Sequence, residues 1–229
     1  STQGVSSAAS DVYKRQLHHS CVSLKQATIP YDELETRTFS IIAHIDHGKS
    51  TLADRLLECT NTIPSHASNK QVLDKLKVER DRGITVKSQA VSMLYQTPER
   101  AKPLLLNLID TPGHVDFAYE VRRSLSVCQS ALLVVDATQG IQAQTISVYR
   151  IAEQCGLTVI PVLNKVDLPA SNPEQCAEQL RDILGMDTTV HTPLHVSAKT
   201  GQGVDRVLEA LVAVSYTHLR AHETSLHLV

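Results

Sequence analysis

Between Phe39 and Val212 the spacing of apolar residues switches repeatedly between a period of two and a period near 3.6. The run FSIIA (Phe39–Ala43) is short, apolar and partly β-branched, and predicts a strand. STLADRLLE (Ser50–Glu58) sets Leu52, Leu56 and Leu57 on one side of a helix. AVSMLY (Ala90–Tyr95) alternates as a half-exposed strand does, whereas LLLNLID (Leu104–Asp110) and ALLVVD (Ala131–Asp136) read as strands buried on both faces. TVIPVLN (Thr158–Asn164) and LHVSA (Leu194–Ala198) add two more strands. Phe117–Ser126, Ala143–Cys155, Pro173–Leu184 and Val204–Leu211 follow helical spacing. Strands alternating with helices require right-handed crossovers, so the expected class is α/β, a mostly parallel central sheet with helices on both faces. Ligands of such sheets sit beyond the carboxyl ends of the strands.

The two ends lack this periodicity. Ser6–Gln16 (SSAASDVYKRQ) and Val214–Thr224 (VSYTHLRAHET) follow neither helix nor strand spacing. DVYKRQ back-translates to GAT GTG TAT AAG AGA CAG, whose reverse complement, shifted in frame, reads VSYTH. Both segments resemble translated transposase-type sequencing adapters; the alternative is a pair of unstructured tails. The expected division is a tail over residues 1–16, a leader or linker over 17–36, one nucleotide-binding domain over 37–212 and a second tail over 213–229. His218, His222 and His227 then form no metal site. Residues 17–28 carry Lys25 and no acidic residue, compatible with the end of an organelle leader and equally with a meaningless linker.

Composition narrows the function classes. Apolar residues make up 42% and charged residues 20% of 229, ordinary globular usage that disfavours disorder and fibres. No apolar run approaches the roughly 18 residues of a membrane span. The net charge of −2 gives no global reason to expect nucleic-acid binding, and no direct nucleic-acid motif stands out. Five scattered cysteines without a CxxC argue against a disulfide framework or structural zinc.

Five loops at strand ends carry the chemistry. AHIDHGKST (Ala43–Thr51) joins a strand to a helix and matches a phosphate-binding loop, except that Ala43 replaces the first glycine. Asp46, His47, Gly48, Lys49, Ser50 and Thr51 would wrap phosphate oxygens at a helix N-terminus, with Lys49 neutralising charge and the Ser50 hydroxyl ligating Mg²⁺. DTPGH (Asp110–His114) follows a strand; Asp110 can hold the metal through water and the Gly113 N–H can meet the γ-phosphate, although the same residues also favour a helix-capping turn. In NKVD (Asn164–Asp167) the Asp167 carboxylate can accept from guanine N1–H and N2–H₂, and the Lys165 stem can lie across the base. In SAK (Ser197–Lys199) the Ala198 N–H could meet guanine O6. RGIT lies in a polar stretch where Thr85 could complete the Mg²⁺ shell once a γ-phosphate is present; alone it reads as a charged loop. Each tripeptide or tetrapeptide is weak by itself. Their order and the separations of 61, 54 and 33 residues between Lys49, Asp110, Asn164 and Ser197 decide.

This set of motifs resembles the G domain of translational GTPases, the elongation-factor branch of the P-loop GTPases. QVLDKLKVERDRGITVKSQ, LLNLIDTPGHVDFAYEVRRSL, LLVVDATQGIQAQT and PVLNKVDLPASNPE are similar within that branch to the LepA or elongation factor 4 family, most of all to its mitochondrial Guf-type form. The resemblance runs from about Ile29 to Val212. It implies the P-loop GTPase fold and GTP hydrolysis with Mg²⁺, stimulated by the ribosome and associated with back-translocation and fidelity. It casts His114 as the residue that orients the attacking water, Ile45 and Ile84 as a hydrophobic gate, and Asp46 as a neighbour of a structural monovalent cation. It also implies GTP, GDP and the ribosome as partners, the last through domains beyond this chain. Mitochondrial placement, in the matrix and associated with the inner membrane, follows from the Guf-type wording, with plastid or bacterial cytoplasm as alternatives. Another translational GTPase (elongation factor G or the BipA type) and a non-hydrolysing GTP-binding module are the competing readings.

Overall fold

Strand β1 (Glu35–Ala43) begins four residues before the apolar run that announces it. Its polar start is held by pairing, because Glu35 to Asn107 partners run in register: Glu35 lies opposite Leu104 and Thr38 opposite Asn107 of β3 (Leu104–Asp110). Arg37, though buried, pairs with Glu35, and Arg100 donates to the same carboxylate at 2.5 Å. In this computed structural model residues 34–63, 73, 89–97, 100, 102–111, 118–187 and 191–214 are described.

The chain continues through α1 (Lys49–Cys59), β2 (Gln89–Tyr95), β3, α2 (Ala118–Leu125), β4 (Ser130–Asp136), α3 (Ala143–Gln154), β5 (Thr158–Asn164), α4 (Pro173–Leu184), β6 (Leu194–His195) and α5 (204–214). The sheet order is β2-β3-β1-β4-β5-β6, with only β2 antiparallel to its neighbour. Alternation along β4 feeds two cores. Leu132 and Val134 join Phe39, Ile41 and Leu106 under α1 and α5, while Leu133 and Val135 join Ile42 and Leu163 under α2, α3 and α4. The α/β class, with one mostly parallel sheet covered on both sides, is therefore the observed one.

Local chemistry sets the element ends. Helix α4 starts where Asn172 Oδ1 accepts from the Gln175 N–H and Pro173 occupies the first turn, and it stops at Gly185, whose φ of 66° ends the helix. Two expectations need correction. LLLNLID is not buried on both faces: Leu104, Leu106 and Leu108 are buried, whereas Leu105, Asn107 and Ile109 are half-buried. This strand lies one place from the sheet edge, and its second face is polar enough that Asn107 accepts from the Ser92 hydroxyl of β2. LHVSA is a strand over only two residues. Val196 still donates to Leu163, but Ser197 then folds back to Gln202 and Gly201, so the backbone leaves the ladder. Among the described residues no helix is long and apolar enough to cross a membrane.

Candidate functional site

The carboxyl ends of β1, β3, β4 and β5 open onto one loop, residues 44–48, between β1 and α1. Two of its residues hold left-handed backbone, Asp46 (φ 62°) and Gly48 (φ 92°). Gly48 caps α1 and brings no side chain of its own to the first-turn N–H groups, an arrangement suited to a phosphate. Glycine is required twice over, since a Cβ there would stand 2.3 Å from the Asn164 amide nitrogen.

Asn164 is the joint between loops. Its Nδ2 donates to the His47 carbonyl at 2.9 Å and its Oδ1 accepts from the Ala198 N–H at 3.0 Å. The phosphate-loop, NKVD and SAK segments are thereby tied together by one buried amide. The Ala198 N–H, expected to face guanine O6, is engaged by Asn164. Ser197 is buried with its hydroxyl accepting from the Thr200 N–H, while Asp167 and Lys199 are exposed beside the joint. Lys165, left-handed at φ 64°, sends its ammonium to the Asp46 carbonyl and the Asp136 carboxylate, both at 2.6 Å.

Charge is arranged around the same loop. Lys49 Nζ lies 2.7 Å from Asp110 Oδ1 and 2.7 Å from the Thr111 carbonyl, which brings the phosphate-loop lysine to the DTPGH aspartate. Ser50 sits in the first turn of α1, half-buried, and Thr51 is exposed. Ser50 and Asp110 supply hard oxygen donors, one hydroxyl and one carboxylate, a set that fits Mg²⁺ shared with phosphates. Among the described residues no trio of His, Cys, Asp or Glu could hold a metal by itself. Burial drives the His47 imidazole down to about 4, with His44 adding to the effect, so the ring is neutral at pH 7. Its Nδ1 accepts from the Asp136 N–H at 3.2 Å. Burial raises the Asp136 carboxyl, but Lys165 and Thr138 outweigh it and hold the group below the usual carboxylate range.

Three contributors escaped the sequence reading. Arg55 of α1 donates from Nε to the Ala198 carbonyl and from its guanidinium to the Lys199 carbonyl, pinning the SAK turn. On a helix's polar face nothing distinguishes such an arginine. Asp136 had one signal, a carboxylate closing an otherwise apolar strand at the ligand end of the sheet. His44 packs edge-on to His47 with ring centres 5.0 Å apart. Ile45 is half-buried in the loop. Ile84, Thr85, Gly113 and His114 lie outside the described residues.

Comparison with known proteins bears on the same segment. The family described as "Elongation factor Tu GTP binding domain" matches residues 34–216. The chain is 61% identical over 182 residues to "Translation factor GUF1, mitochondrial" of Laccaria bicolor, covering 79% of this chain and 28% of that protein. It is 55% identical over 176 residues to "Elongation factor 4" of Clostridium acetobutylicum, covering 77% of this chain and 29% of that one. The crystal structure of a bacterial selenocysteine-specific elongation factor, EF-Sec, superimposes with a TM-score of 0.60 at 26% identity, over 80% of this chain and 29% of that one. The chain thus spans under a third of the length of these relatives.

Proposed function

Because the chain belongs to the elongation factor Tu GTP-binding domain family, we propose that it binds GTP and GDP and hydrolyses GTP as the G domain of an elongation factor 4-type translation factor. One observation carries the reading: Asn164 fastens the phosphate loop to the two loops that would read guanine. A site in which phosphate and base recognition share one buried amide fits a purine nucleotide and not a lone phosphate.

The chemistry is positioning and charge neutralisation, without a covalent intermediate. Gly48 and the first turn of α1 receive the phosphates, and Lys49 neutralises charge on the transferring group. Ser50, Thr85 and Asp110 would hold Mg²⁺, which would supply further charge neutralisation at the phosphates; Asp46 would adjoin any monovalent cation. His114 places the attacking water, Gly113 donates to the γ-phosphate, and Ile45 with Ile84 screens the histidine from it. Asp167 reads the guanine N1–H and N2–H₂, and Lys165, Ser197 and Lys199 complete the base site beside the Ala198 N–H that Asn164 holds. The ribosome is the stimulating partner, reached through domains outside residues 37–212. Relatives named as mitochondrial and as bacterial are both similar at this level, and the Guf-type wording favours the mitochondrion.

Equilibrium binding with a choice of bases tests the proposal. The chain should prefer GDP to ADP, and Asp167→Asn should exchange that preference for xanthosine diphosphate, since an amide can pair with xanthine where a carboxylate cannot. Equal affinity for GDP and ADP would overturn the nucleotide assignment. Unchanged GDP affinity in Asp167→Asn would overturn the base-reading role.

A further inference from the structure

Asp136 belongs to none of the five motifs, yet it is fully buried at the carboxyl end of the central strand β4. A buried carboxylate is costly unless every lone pair is met. Here Oδ1 accepts from the Thr138 N–H at 2.8 Å and the Thr138 hydroxyl at 2.7 Å. Oδ2 accepts from Gln139 Nε2 at 3.3 Å and from Lys165 Nζ at 2.6 Å. The first three donors come from the turn that follows. The fourth comes from NKVD, and its ammonium also donates to the Asp46 carbonyl of the phosphate loop. The backbone N–H of Asp136 reaches that loop a second way, through His47 Nδ1.

We propose that Asp136 is a positioning residue for nucleotide recognition: its carboxylate fixes the Lys165 ammonium against the phosphate loop and so stretches the Lys165 stem where the base is to lie. This rests on the nucleotide reading above and extends it to a residue outside its motifs. Two features set the geometry: Lys165 holds a left-handed backbone, uncommon for a non-glycine residue, and its ammonium is fixed by the ion pair with Asp136 and the bond to the Asp46 carbonyl. A flexible lysine would lose rotamer freedom on binding a base; one already clamped at its head has less to lose.

The test is a double-mutant cycle read by titration with GDP fluorescently labelled on the ribose, using the whole 229-residue chain. Asp136→Asn keeps the shape and removes the charge; Lys165→Met keeps the stem and removes the ammonium. Asp136→Asn should weaken labelled GDP about 10-fold, within the range of coupling between contacting residues. On the Lys165→Met background the same change should do nothing further, because the lysine through which it acts is gone. Melting curves confirm that each variant is folded. If Asp136→Asn alone gives no cooperative melt, Lys165→Met against Asp136→Asn/Lys165→Met decides, since that pair compares two proteins without the ammonium. Equal affinity in these two, with Lys165→Met itself about 10-fold weaker than the parent, supports the inference. An equal loss on both backgrounds, or none on the parent, overturns it, because Asp136 would then serve the fold alone. Failure of the parent chain to bind labelled GDP overturns the nucleotide reading itself, an outcome distinct from the others.

Discussion

At the tip of the phosphate loop a single residue touches two strands. His47 accepts from the Asp136 N–H through its ring and from the Asn164 amide through its carbonyl. The ring contact requires a bare Nδ1, hence a neutral imidazole with its proton on Nε2. With the folded value near 4 against an ordinary 6.5, the unfolded chain takes up the proton first on acidification. The stability this contributes is complete above pH 6.5 and is lost as pH falls from 6.5 towards 4, a change of about 2–3 kcal/mol. Denaturant unfolding over that range should show the slope, and His47→Asn, which offers Oδ1 in place of Nδ1 and does not titrate, should flatten it. Gly48→Ala belongs to the same scale. The new Cβ meets a backbone angle that disfavours it and pushes against Asn164, so about 2 kcal/mol or more should be lost in a urea melt.

Among elements, the described buried residues form two side-chain cores, one on each face of the sheet. Leu106 of β3 packs with α1 and α5; Leu180 of α4 packs on the opposite face. Each change to Ala should cost about 2–5 kcal/mol, and the double variant should lose the sum to within about 0.5 kcal/mol because the sites share no neighbours. Chemical unfolding of the three variants checks it. The elements themselves were legible where one physical signal dominated. Pro173–Leu184 emerged with its bounds from helical spacing alone, and the structure shows a cap, a proline and a glycine framing it, while TVIPVLN is a strand over the same residues as read. LLLNLID misled because three leucines in a row suggest burial on both faces, while exposure depends on which strand lies next to the edge. LHVSA misled because Ser197 and Ala198 have strand-like neighbours but spend their hydrogen bonds on the turn to Gln202 and on Asn164. That AHIDHGKST and NKVD meet at the strand ends was readable from their places after apolar strands. Asp136 and Arg55 were not, since their partners lie 29 and 143 residues away and only folding brings them near.

For the whole molecule, catalysis and binding should separate. His114→Ala is expected to keep GTP affinity within about twofold while ribosome-stimulated phosphate release falls by at least about 100-fold, as loss of water positioning does. Filter binding and a phosphate-release assay with ribosomes and the full-length factor measure the two. Stimulated turnover at the parent rate would remove His114 from the mechanism. The strand order has a further consequence for how such a chain is made. β4 docks on β1, and from there β5 and β6 are laid down outward, each on the strand written just before it. β3 enters between the earlier β1 and β2, but from β4 onward a chain leaving the ribosome can extend its sheet in the order of synthesis. The segment after β6, which brings Ala198 to Asn164, comes near the end of that sequence. Nascent chains arrested before Leu194 should retain no guanine nucleotide, so that capture of GDP reports a domain whose translation is all but finished.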